Sequence, residues 1–130
     1  MRTLSFLLFL FFISSCKEET VTYEIKNICN KEVKKNSKHG YTKNYFANAI
    51  NIESIGHYKN GIQDGFWKYF YRNGKIKAEG HYKNGKKQGF WKEYHKNGTI
   101  KSEGHIDDCK PSGYWKFYDQ RNNLIKEINY

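Results

Sequence analysis

The sequence predicts an all-β fold, an elongated antiparallel meander of seven or eight strands. Three observations predict it. The chain matches itself at a shift of 24 residues: GHYKNGIQDGFWKYFYRNGKIKAE (56–79) falls on GHYKNGKKQGFWKEYHKNGTIKSE (80–103), and GHIDDCKPSGYWKFYDQRNNLIKE (104–127) is a third copy. A fixed period in this range marks a stacked-repeat architecture. Asn-Gly pairs recur at 60–61, 73–74, 84–85 and 97–98, and Asn-Gly readily takes the positive φ that tight hairpins need. Between the turns lie segments rich in Tyr, Trp, Phe and Ile, the residues that favour strands.

The first residues stand apart from this pattern. MRTLSFLLFLFFISSC has a basic start at Arg2 and an apolar run from Leu4 to Ile13. That run is shorter than the ~20 residues needed to cross a bilayer and reads as a secretion signal over residues 1–15. Its end, Ile13-Ser14-Ser15-Cys16, resembles a bacterial lipobox. The resemblance implies cleavage before Cys16 and acylation of that residue with fatty chains such as palmitate. Lys17 at the next position favours the outer membrane, on its periplasmic or exposed face. Residues 16–40 then read as a lipidated N-terminus and a Lys- and Asn-rich tether, in which Val21, Tyr23 and Ile25 alternate as one short strand would.

The repeat body is placed at 41–130. It opens with a degenerate half copy at 41–55, with Tyr45-Phe46 over Tyr69-Phe70 and Ile52 over Ile76. Each full copy predicts two strands. KIKAEGHYK alternates strictly, with Ile76, Ala78, Gly80 and Tyr82 on one face and Lys and Glu on the other, the pattern of a half-buried antiparallel strand. GFWKEYH is aromatic on both faces, so it is either covered on both sides or bent by a bulge. Gly56, Gly80 and Gly104 fall in mid-strand, where glycine weakens pairing unless a neighbouring ring covers it. Trp67, Trp91 and Trp115 are the rings assigned to that cover.

The pattern resembles the MORN repeat family in its bacterial variant, Gly-x-Trp-x-x-Tyr-x-x-Asn-Gly. It is carried by Gly65, Trp67, Phe70, Asn73 and Gly74, by Gly89, Trp91, Tyr94, Asn97 and Gly98, and by Gly113, Trp115 and Tyr118. The resemblance implies a single-layer sheet of stacked hairpins acting as a scaffold or binding module. Many bacterial relatives are labelled antitoxins, which implies a cytosolic partner and conflicts with a lipobox. The third copy carries Asp107-Asp108-Cys109 in place of Lys-Asn-Gly, as a terminal cap or a site would.

Charge and chemistry narrow the function. The chain has 23 Lys+Arg and 13 Asp+Glu, and loss of residues 1–15 removes Arg2 only, leaving 22 − 13 = +9. Outside the cytoplasm such a surface favours an acidic protein, a glycan or anionic lipid over nucleic acid, although Lys also blunts sheet edges. Lys68, Lys77, Lys92, Lys101 and Lys116 are the contact candidates. His57, His81 and His105 recur at one position, but two strands separate them by about 9.5 Å, too far to share a zinc ion. Glu79, Glu103 and Glu127 are equally spaced and suit cross-strand pairing with lysine. No catalytic or cofactor motif is present, so neither an enzyme nor a cofactor is expected. An oxidising compartment permits a Cys29–Cys109 disulfide. The leading expectation is a membrane-anchored lipoprotein with a non-catalytic binding surface. The rival is an immunity or antitoxin-like protein that neutralises a toxin.

Overall fold

The computed structural model describes residues 38–130. The expected signal, Cys16, Cys29, the Val21–Ile25 strand and nearly all of the tether lie outside the described residues. Eight strands form one sheet in sequence order, every neighbouring pair antiparallel. They are β1 (Gly40–Tyr45), β2 (Ile52–Lys59), β3 (Ile62–Phe70), β4 (Ile76–Lys83), β5 (Lys86–Tyr94), β6 (Ile100–Asp107), β7 (Lys110–Tyr118) and β8 (Leu124–Asn129).

The Asn-Gly pairs serve two different turns. Between β2 and β3, Asn60 and Gly61 both have positive φ (52° and 79°), and Asn84 and Gly85 repeat this between β4 and β5 (51° and 80°). These are two-residue hairpins whose twist matches that of the strands. Asn73-Gly74 and Asn97-Gly98 sit in the longer loops 71–75 and 95–99, where only the glycine is left-handed. There the asparagine side chain works instead. Asn73 Oδ1 accepts from Lys75 N at 3.1 Å, and Asn73 Nδ2 donates to Lys96 O of the next repeat at 3.1 Å. In the third copy Asp108 and Cys109 occupy the hairpin positions with φ of 42° and 66°. The turn therefore survives the loss of Asn-Gly.

The expected half copy holds β1 from Tyr41 on and the first part of β2, and their pairing shifts its alignment by one residue. Tyr45 pairs with Ile52 as Phe70 pairs with Ile76, and Thr42 faces Gly56 as Trp67 faces Gly80. Tyr45 therefore matches Phe70, not Tyr69. The loop 46–51 is longer than 71–75 and absorbs the difference.

Of the two readings of the aromatic strand, the structure has the bulge. The β4–β5 register passes from Glu79↔Lys92 to His81↔Gln88, so Gly89, Phe90 and Trp91 lie opposite Gly80 alone. The same shift occurs beside Gly56 and Gly104. Gly65, Gly89 and Gly113 carry it with φ of 76°, 75° and 63°, a region costly for any side chain. Each bulge turns a tryptophan back over the preceding strand. A Cβ on Gly56, Gly80 or Gly104 would lie 2.2, 2.3 or 2.4 Å from the ring of Trp67, Trp91 or Trp115. Each indole N–H donates to the carbonyl of His57, His81 or His105 at 3.1, 3.1 and 2.8 Å. The ring thus covers the glycine and pairs a backbone oxygen beside the bulge.

The core is this ladder of rings on one face. Trp67 and Trp91 are fully enclosed, with Tyr82 between them edge-on to both at 6.2 and 5.2 Å. Tyr58 meets Trp67 edge-on at 4.9 Å, and Tyr130 meets Trp115 edge-on at 6.5 Å. Tyr58, Tyr82, Ile106 and Tyr130 are one repeat position, each 24 residues from the last. Inside the ladder, Tyr69 donates to Tyr82 Oη at 3.0 Å and accepts from Gln63 at 2.8 Å. Burial raises the pKa of both phenols. Unfolding frees these protons above pH 10, so stability falls as pH rises through that point.

Candidate functional site

The face opposite the tryptophans carries a second set of rings. In an alternating strand, neighbours in sequence point to opposite sides, so burying Trp67 presents Phe66 to solvent. Phe66, Phe90 and Tyr114 are 43%, 42% and 71% exposed. Phe66 lies directly opposite His81 with ring centroids at 5.1 Å, and Phe90 opposite His105 at 5.4 Å. Tyr41 lies opposite His57 in the same way. Each bulge offsets one pair from the next: His57, His81 and His105 face Asp64, Gln88 and Ser112, and Phe66, Phe90 and Tyr114 stand one residue along, opposite Gly56, Gly80 and Gly104. The result is a slanted series with one ring on each of β1 to β7, phenyl or phenol alternating with imidazole. Exposed Phe is uncommon on a monomer surface, and a series of such rings repeated on one face points to an interaction surface.

A row of charges runs beside the rings. Lys68–Glu79, Lys92–Glu103 and Lys116–Glu127 stand at 3.6, 3.5 and 3.7 Å. Lys68 and Lys92 also lie 5.7 Å from the centroids of Phe66 and Phe90. The next tyrosine stitches each repeat to the one before, Tyr94 donating to Glu79 Oε1 at 2.7 Å and Tyr118 to Glu103 Oε1 at 2.8 Å. Burial and the Glu79 carboxylate raise the Tyr94 phenol, and the bond to Glu103 raises that of Tyr118.

The five contact lysines do not form one patch. Lys68, Lys92 and Lys116 belong to the ring face. Lys101 pairs with Glu93 at 3.7 Å, and Glu93 faces Ala78 and Ser102 on the tryptophan side. Lys77 stands at the corresponding position of β4, close enough to Lys87 for its charge to be felt there. The reason is the register shift at each long loop, which leaves Lys77 and Lys101 outside the pairing and turns them to the other side.

Lys87 was not singled out by its sequence. It is 6% exposed, faces Tyr82, and holds its ammonium 4.0 Å from the centroid of Trp91. Burial lowers its pKa from the usual 10.5, Glu93 offsets part of this and Lys77 adds to it. The charged form is penalised, so wild-type stability rises as pH climbs from the folded pKa toward the unfolded one. Lys87→Met is expected to raise the melting temperature, with the gain, on the order of 1 kcal/mol, largest at neutral pH and shrinking as pH approaches 10. Paired thermal melts over that range measure it.

Cys109 is disulfide-bonded. It is the sole cysteine among residues 38–130, so its partner lies outside the described residues, as the expected Cys29 does. The bond holds a turn position that glycine fills in the other copies. Alkylation of the non-reduced protein followed by mass spectrometry is expected to leave Cys109 blocked, and Cys29→Ser to free it. Persistent blocking in Cys29→Ser would remove Cys29 as the partner.

An open depression of about 610 Å³ lies near β1 to β3 between Tyr45, Glu53, Tyr58 and Tyr69. Its polar groups bond one another, Lys38 to Asn44 and Asn44 to Ser54. Among the described residues no cluster of His, Cys, Asp and Glu has the geometry to hold a metal ion.

Comparison with known proteins agrees with the repeat. No curated protein and no solved structure matches the chain. The MORN repeat variant family matches three consecutive segments, residues 63–84, 87–108 and 111–130. These segments keep the 24-residue period and begin on the outgoing strand of each hairpin, so each holds one bulge and one tryptophan. Through the three repeats of residues 63–130, the chain belongs to the MORN repeat variant family.

Proposed function

We propose that the protein is a membrane-anchored lipoprotein of the cell envelope whose repeat sheet is a non-catalytic recognition surface. MORN repeats support a binding or scaffold role. The observation that carries the reading is the exposed ring row, set on the face that the tryptophan ladder leaves free. A structural need explains Trp67, Trp91 and Trp115. It does not explain an outward aromatic at Phe66, Phe90 and Tyr114. The acidic groups beside the row are engaged, Glu79 by Lys68 and Tyr94 and Glu103 by Lys92 and Tyr118, which favours holding a ligand over transforming one.

Anchoring rests on the sequence ending in Ile13-Ser14-Ser15-Cys16. Labelled palmitate is expected to enter the wild type and not Cys16→Ala; an unlabelled wild type removes the anchor. For the surface, pull-down from detergent-solubilised envelopes is expected to lose its partner when Phe66, Phe90 and Tyr114 are all changed to Ala. Unchanged recovery removes the ring face from the reading. Recovery of a single toxin encoded beside the protein replaces this reading with the immunity one.

A further inference from the structure

We propose that the ring row is a track for a linear acidic polysaccharide built of extended 1,4-linked sugars. The inference rests on the reading of the sheet as a recognition surface and names its ligand class.

Spacing is the first argument. The row has one ring per strand, directly opposed within each pair and stepped by about one residue at each bulge, and strands advance by about 4.7–4.9 Å. One 1,4-linked pyranose advances an extended glycan by a similar step, so a chain laid obliquely across the strands, along the slant that the bulges impose, meets successive rings with successive sugars. The alternation of rings suits this. Phe66, Phe90 and Tyr114 offer faces for the C–H side of a pyranose, and the imidazoles of His81 and His105 between them offer nitrogens to its hydroxyl edge.

Charge is the second. Without residues 1–15 the chain carries a net charge of 22 − 13 = +9. Lys68, Lys92 and Lys116 flank the row two residues along their strands, at 3.5–3.7 Å from their carboxylates. These separations exceed a normal charged hydrogen bond, so the ammonium groups retain protons for an incoming oxyanion. Lys59 and Lys83 stand on the other flank, two residues beyond His57 and His81 and exposed. In the third copy Asp107 takes that place, and Glu79, Glu103 and Glu127 stand among the lysines of the first border, so a carboxylate-bearing polymer finds its cations at Lys59 and Lys83 on one side and at the outer faces of Lys68, Lys92 and Lys116 on the other.

Shape is the third. The track is a single ring wide and bordered by ion pairs. A bilayer pressed onto this face would dehydrate those pairs, which is costly. A single polysaccharide strand leaves them in water. A folded protein partner has no reason to match a regular step repeated along the whole row.

The test uses the full chain in detergent, with poly-β-1,4-mannuronate as the probe in affinity electrophoresis. Wild type is expected to be retarded, and the Phe66→Ala/Phe90→Ala/Tyr114→Ala variant to bind about tenfold or more weakly with an unchanged melting temperature. Defined oligomers are expected to gain affinity with length up to about seven sugars, the span of six strand steps. No retardation of wild type, retardation unchanged in the variant, or affinity independent of length beyond a disaccharide overturns the proposal. Equal affinity for neutral cello-oligosaccharides overturns its acidic part. Loss of retardation on adding phosphatidylglycerol to the detergent assigns the row to lipid headgroups and also overturns it. If the polysaccharide fails while the envelope pull-down still depends on the three rings, this ligand class falls and the recognition surface stands. If both fail, the surface reading falls with it.

Discussion

Gly80→Ala is expected to destabilise the protein by an amount at or above the upper end of about 1–3 kcal/mol, the usual cost of overpacking. Backbone conformation does not cause this, because Gly80 is not among the left-handed residues. On strand propensity alone an alanine there would be neutral or helpful. The added methyl would sit 2.3 Å from Cδ2 of Trp91, well inside contact distance. The ring has nowhere to go. It is 1% exposed, fixed by its N–H to His81 O and edge-on to Tyr82. A double-mutant cycle isolates the effect. In a Trp91→Leu background the same Gly80→Ala change meets a smaller, movable side chain and is expected to cost much less, giving a coupling of about 1–3 kcal/mol. Equal costs in both backgrounds would show that ring contact is not what excludes a side chain at position 80. Gly89→Ala is the contrast. Nothing lies within 4 Å of its Cβ position, so its cost is the left-handed backbone alone, about 1–2 kcal/mol, and is expected to be indifferent to Trp91.

Trp91→Ala is expected to cost about 3–5 kcal/mol, and its form is as informative as its size. Trp91 joins Tyr82 to the third repeat, so its loss opens the ladder in the middle. In a stacked array, stability is a sum over units and their junctions. Breaking the central junction is expected to split one denaturant transition into two, with Trp67 and Trp115 fluorescence reporting different midpoints. Trp91→Phe keeps most of the buried ring and removes the indole donor, leaving His81 O without that partner. Its expected cost is about 1–3 kcal/mol with a single transition. A single transition for Trp91→Ala would show that hydrogen bonding between strands couples the units without the rings.

Much of the fold could be read from the residues because the period repeats the same constraint three times. The ring-over-glycine contact was legible since Gly56 and Trp67 keep their spacing in every copy. The bulge was legible as one of two options: GFWKEYH cannot put aromatics on both faces without either a cover or a break in the ladder. Gly89 was harder. Its left-handed backbone leaves no mark that separates it from Gly80, and only the register shift shows that one glycine is required for its φ and the other for its missing side chain. The placement of Lys77 and Lys101 was hidden for the same reason. Strict alternation places Lys77 and Lys101 with Lys68 and Lys92, and the unpaired residue at each long loop moves them to the other face. Lys87 had no signal, because its counterparts are Gln63 and Pro111 and only packing shows that it is enclosed. Tyr130 did have one: counting 24 residues on from Ile106 reaches it.

Each repeat holds its own lysine–glutamate pair, and Glu79 and Glu103 each accept a tyrosine from the repeat that follows, so every unit carries both halves of the same joint. An in-frame duplication of one 24-residue unit would therefore arrive with its own glycine, indole and ion pair, and would disturb neither neighbour. Gene copying can lengthen such a platform in quanta of two strands, about 9.6 Å each. Reach is thus inherited as copy number, and the protein can be resized without being redesigned.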